Sequence, residues 1–159
     1  MKLTNAQQKQ FDDEGYIIIP NLFSVREVNT LKNQIPFIFS QRRPENFREK
    51  DGDTVRTSFA THTYNDVYGK FVRHPKVLGP AEQLLNGKVY VHQFKLNAKA
   101  AFTGDIWQWH QDFGIWHRDD EMPEPKAMNL AVYLDEVNEF NGPLYMIPKS
   151  HKHGVMEAE

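Results

Sequence analysis

The sequence contains no cysteine. That excludes disulfide frameworks, thiolate zinc sites and cysteine nucleophiles, so any bound metal has to be held by histidine and carboxylate. No apolar run approaches the roughly 20 residues that a membrane-spanning helix needs. The opening stretch, MKLTNAQQKQ, has no apolar h-region, so no secretory signal is expected. Neither charge sign dominates. Nineteen Lys and Arg stand against 21 Asp and Glu, and the resulting −2 gives no field that would draw the chain to nucleic acid or anionic lipid. No internal repeat or low-complexity tract is visible. What is present suits one globular domain spanning 1–159: 40% apolar residues, with 11 Phe, six Tyr and three Trp to fill a core. Seven histidines leave metal chemistry open.

The front of the chain reads as helical. Thr4 with Gln7 forms a capping-box pattern and Gly15 a stop, predicting a helix over Asn5–Glu14. Tyr16-Ile17-Ile18-Ile19, closed by Pro20, reads as a short strand. Ser24 with Glu27 repeats the capping box, and Val28, Leu31, Ile35 and Ile38 follow at helical spacing, perturbed near Pro36. Residues 41–56 are polar, with Pro44 and Asp51-Gly52 as turn signals and Arg42, Arg43, Arg48 and Lys50 alternating with acids, which predicts a solvated loop rather than an anion site. His74-Pro75 opens a further helix that ends at Asn86-Gly87. The period then changes. Lys88–Asn97, Ala127–Leu134 and Pro143–Ile147 read as strands, the last two joined by an Asn141-Gly142 turn. Helices first and antiparallel strands afterwards give an α+β class whose sheet suits a sandwich or jelly roll.

The chemistry concentrates in WQWHQDFGIWHRDDEMP, residues 107–123. His110-Gln111-Asp112 is an H-x-D triplet, and on extended backbone residues i and i+2 project to the same side. One imidazole and one carboxylate facing one point make two corners of a facial triad for Fe(II); a surface ion pair is the plain alternative. The surrounding aromatic residues suit a lined pocket or an aromatic mini-core, with Trp107, Trp109 and Phe113 as core residues in the second case. His117 reads as a hydrogen-bonded histidine rather than a ligand.

The segment QFKLNAKAAFTGDIWQWHQDFGIWHRDDEMP, followed by NGPLYMIPKSHKHG, resembles the phytanoyl-CoA dioxygenase superfamily of Fe(II)/2-oxoglutarate-dependent dioxygenases. It is most similar to the branch that hydroxylates small amino-acid-like molecules, typified by trans-4-proline hydroxylase and ectoine hydroxylase. EKDGDTVR, FVRHPKVLGPA, VYVHQFKLNAKA and the opening FDDEGYIIIP extend the likeness upstream. The resemblance implies a jelly-roll fold with N-terminal helices packed on it. It also implies Fe(II), 2-oxoglutarate and O₂ as cofactor and co-substrates. His110 and Asp112 match iron ligands. Lys99 matches a lysine that holds 2-oxoglutarate, while Asn97, Asn129 and Phe59 match residues lining that pocket. Gln93 and Trp116 match substrate-contacting positions. Related iron halogenases leave the carboxylate position vacant, so Asp112 implies hydroxylation, of a free amino acid or cyclic derivative rather than an acyl-CoA. Fe(II) and 2-oxoglutarate together with the lack of cysteine imply a cytoplasmic enzyme without nucleic-acid or membrane partners; oligomerisation stays possible.

The family supplies its second iron-binding histidine far downstream, with an arginine beyond it that clamps 2-oxoglutarate. The sequence stops at Glu159, ahead of both, and His151 and His153 are read as structural or solvent-exposed rather than replacement ligands. A jelly roll needs about eight strands, so the expected sheet is incomplete at the C-terminus. The competing reading is a truncated, inactive module that binds a metal or small acid without turnover. A zinc hydrolase is a further alternative, though no H-E-x-x-H spacing is present.

Overall fold

The computed structural model describes residues 1–101, 104 and 106–156. Helix α1 spans Asn5–Glu14 and is capped as its sequence dictates: the Thr4 hydroxyl accepts from the Gln7 backbone N–H, and the Gln7 side chain accepts from the Thr4 N–H. Gly15 ends it at φ 85°, and the His151 ring occupies the space a side chain there would need. The expected second helix is broken in two, α2 (Val25–Lys32) and α3 (Ile35–Ser40). Pro36 has no N–H to continue the ladder from α2, so it sits in the first turn of a new helix, where none is needed.

Glu27 caps α2 through Ser24 and also receives both its oxygens' hydrogen bonds from the Lys76 ammonium at 2.8 Å. The Lys76 ammonium, then Ser24, hold the Glu27 carboxyl down at about 2, below its ordinary 4.5. Because the folded chain keeps this group ionised, its contribution is full above pH 4.5 and is lost as pH falls towards 2. Urea unfolding across that window should show a flatter acid limb in Glu27→Gln than in wild type.

Residues 41–56 do not form a plain loop. Strands β1 (Asn46–Arg48) and β2 (Val55–Phe59) pair as a hairpin with a bulge between Phe47 and Arg48. The sequence hid this because its charges serve the turn. Asp51 accepts from the N–H groups of Asp53 and Thr54, Arg42 pairs with Asp53 at 2.5 Å, and Arg48 donates to the Asp53 carbonyl. Two short helices follow, α4 (Thr61–Tyr64) and α5 (Asp66–Phe71), then α6 (Pro75–Leu84) with His74 as its N-cap.

Strand β3 (Lys95–Asn97) closes an antiparallel sheet of order β1-β2-β3. It is shorter than the expected Lys88–Asn97 strand. Tyr16–Ile19, Ala127–Leu134 and Pro143–Ile147 join no ladder either, although Gly142 does adopt the turn conformation at φ 82°. Each has strand composition, but a strand exists only against a neighbour, and among the described residues none lies alongside. Leu144, Tyr145, Met146 and Ile147 are accordingly exposed.

The register Thr57↔Asn97, Ser58↔Leu96, Phe59↔Lys95 divides the sheet into two faces. Ser58 and Leu96 look to the helical layer, where Leu96 joins Leu31, Ile38 and Tyr68 in the core. Asn46 ties β1 to the same layer by donating to the Ile38 and Gln41 carbonyls, both at 2.8 Å. Phe47, Thr57, Phe59, Lys95 and Asn97 share the opposite face. Helix α7 (Asp112–Asp119) meets this face at its first residue, where Asp112 Oδ1 is 4.0 Å from Lys95 Nζ. No helix among the described residues is long and apolar enough to cross a membrane.

Candidate metal centre

The H-x-D triplet does not lie on a regular extended run. Backbone at Gln111 is extended (φ −109°, ψ 123°), but Asp112 is already the first residue of α7, where a carboxylate is favoured by the helix dipole. The intended geometry survives at the junction. His110 Nε2 lies 3.6 Å from Asp112 Oδ1. His110 Nδ1 stands 2.7 Å from the Gln108 carbonyl, so Nδ1 carries the proton and donates it, leaving the Nε2 lone pair turned towards Asp112. Asn129 Nδ2 donates to Asp112 Oδ2 at 2.6 Å. An imidazole fixed by a carbonyl and a carboxylate fixed by an amide make the outer support that metal ligands commonly have.

The sheet face meets this pair through a residue that pattern reading gave no role. Lys95 Nζ reaches to 4.0 Å from Asp112 Oδ1 and lies 5.9 Å from the centre of the Phe59 ring. Its shared parity with Gln93, Asn97 and Lys99 was the available signal. Asn97 Oδ1 accepts from the Thr57 hydroxyl at 3.0 Å, and the Phe59 ring packs edge-on against Phe47 at 5.2 Å. Arg56, likewise without a role from the sequence, stacks on Trp107 at 4.1 Å and pairs with the buried Glu49 at 3.4 Å, fastening the segment before His110 to β2.

Other expected positions make contacts of their own. Lys99 packs its stem on Gly142, where a Cβ would come within 2.9 Å of Lys99 Cγ. Gln93 is exposed ahead of β3. Trp116 is only 7% exposed, on α7 with its ring against His92 at 5.0 Å, and His92 pairs with Asp120 at 3.0 Å. Trp107 and Trp109 are not core: they are 44% and 60% exposed. His117 is hydrogen-bonded to the Met122 carbonyl, and His151 to that of Asp12, as expected of structural histidines. Among the described residues no three His, Asp or Glu side chains gather to hold a metal. His110 and Asp112 stand as a two-residue set.

Comparison with known proteins bears on what this set belongs to. L-proline trans-4-hydroxylase of Streptomyces griseoviridis is 41% identical over 148 residues, which are 93% of this chain and 55% of that protein. Ectoine dioxygenase of Bordetella parapertussis is 36% identical over 157 residues, 96% of this chain and 51% of that one. Among solved structures, EctD from S. alaskensis with 2-oxoglutarate and 5-hydroxyectoine matches with a TM-score of 0.74 at 29% identity, over 78% of this chain and 45% of its own. The same protein with bound Fe matches with a TM-score of 0.67 at 29% identity, over 72% and 42%. The chain spans about half the length of the curated relatives it matches. The family profile described as phytanoyl-CoA dioxygenase (PhyH) covers residues 11–159, and the chain belongs to that family.

Proposed function

We propose that this chain forms part of an Fe(II)- and 2-oxoglutarate-dependent hydroxylase acting on a small amino-acid-like substrate of the proline or ectoine type. The observation that carries this reading is the His110–Asp112 pair, with the imidazole oriented by the Gln108 carbonyl and the carboxylate by Asn129. One nitrogen and one carboxylate oxygen suit Fe(II) as two corners of a facial triad, and a third protein ligand is required from outside the described residues. When bound at such a site, Fe(II) with 2-oxoglutarate and O₂ supplies oxidation of an unactivated C–H bond, releasing succinate and CO₂.

The chain's own residues do the positioning. In this reading Lys99 gives a counter-charge to 2-oxoglutarate, Asn97 and Asn129 line its pocket, and Phe59 floors it. Gln93 accepts the polar end of the substrate and Trp116 its aliphatic ring. In this reading the β1-β2-β3 sheet belongs to a double-stranded β-helix. A cysteine-free chain using these co-substrates belongs in the cytoplasm.

Incubation of the complete enzyme to which the chain is proposed to belong with Fe(II), 2-oxoglutarate and either L-proline or ectoine tests the reading, with succinate as readout. Substrate-dependent succinate is expected. Metal binding without any succinate would instead favour a binding module without turnover. Asn129→Ala is a finer check. Loss of its bond to Asp112 should weaken Co(II) binding, measured by calorimetry, by about 10- to 100-fold.

A further inference from the structure

We infer that Lys95 is an internal competitor for the metal: its ammonium neutralises Asp112 in the metal-free chain and has to be displaced when a divalent cation binds. The inference rests on the proposed metal centre and adds a residue that sets its affinity. Asp112 uses its two oxygens differently. Oδ2 is held at hydrogen-bond distance by Asn129, 2.6 Å away. Oδ1 has His110 Nε2 3.6 Å away and the Lys95 ammonium 4.0 Å away, both farther than a hydrogen bond. Oδ1 therefore carries the lone pairs that point to the shared space between the three side chains.

A cation that takes an Oδ1 lone pair meets the positive charge of Lys95 in that same space. Like charges at such separations repel strongly in a half-buried site, and the Lys95 and Asp112 side chains are 28% and 23% exposed. The lysine has somewhere to go. Its stem stands on β3 beside the Phe59 ring, whose face attracts a cation. Metal loading thus includes the work of moving this ammonium away, and removing its charge should tighten binding.

The test is a calorimetric titration of the full chain with Co(II), without 2-oxoglutarate or substrate. Lys95→Met should bind Co(II) about tenfold or more tightly than wild type, and Lys95→Arg, which keeps the charge, should stay near wild type. The ratio between wild type and Lys95→Met should narrow as salt screens the repulsion. Damage to the fold would weaken binding, so the direction of the change separates the two. Thermal melts confirm that each variant folds, and Lys95→Gln takes the place of Lys95→Met should that variant not. Equal or weaker binding in the neutral variants overturns the inference while leaving the metal centre standing. Binding that survives both His110→Ala and Asp112→Asn overturns the metal centre itself. Absence of binding to every variant overturns both.

Discussion

Asp112→Asn should reduce divalent-metal affinity by more than about 100-fold, beyond the 10- to 100-fold range for loss of a supporting residue, and should leave no substrate-dependent succinate. The substitution keeps the size of the side chain and an oxygen for Asn129 to bond, so the change is one of charge and ligand quality. Asparagine offers a neutral carbonyl where a hard divalent cation prefers an anionic oxygen. Stability should barely move. The His110 contact is long, at 3.6 Å, and a partly exposed ion pair such as that with Lys95, at 4.0 Å, contributes about 0–1 kcal/mol. Parallel calorimetry with Co(II) and a thermal melt separate the two quantities. Metal affinity within threefold of wild type would remove Asp112 from the site. A melting point that collapses along with affinity would instead make Asp112 a structural residue.

The helical front was legible because its signals are local. Thr4 with Gln7 and Ser24 with Glu27 each close within one turn, and both boxes form as the sequence implies. The β1–β2 hairpin was not legible. Asp51-Gly52 did read as a turn, but the flanking residues read as a solvated loop, and only the fold shows them paired and Arg48 bonded to the turn backbone. The later strands fail for the opposite reason. Ala127–Leu134 and Pro143–Ile147 carry strand composition, yet pairing depends on a neighbour that no periodicity can supply. At the site, the H-x-D spacing brought His110 and Asp112 together even though the backbone turns helical between them. Lys95 was missed because parity assigns a face and not a reach. Its approach to Asp112 depends on where the start of α7 is placed, a tertiary fact absent from the strand's own residues.

Tyr68→Ala should cost about 3–5 kcal/mol, as large-to-small changes of a buried aromatic do. That is a large share of the 5–15 kcal/mol by which domains of this kind are stable. Tyr68 is 1% exposed and stands where α5 meets Leu31 of α2 and Leu96 of β3; its ring packs edge-on against Phe71 and Phe94 at 6.4 and 5.7 Å. Its hydroxyl donates at 3.1 Å to the Leu31 carbonyl at the end of α2, which also accepts from the Gln34 N–H. Tyr68→Phe isolates that bond and should cost about 1 kcal/mol in urea unfolding. Burial also pushes the phenol up to about 12 from its ordinary 10.0. The folded chain therefore holds this proton where the unfolded chain has released it. Stability from this group is intact below pH 10 and declines as pH rises towards 12. Tyr68→Phe should flatten that alkaline limb, and a limb unchanged by the substitution would show that another group governs it. The same side chain fastens the helical layer to β3, the strand that carries Lys95 and Asn97, so Tyr68→Ala should weaken Co(II) binding only as the chain unfolds. Asp112→Asn should do so in a chain that stays folded.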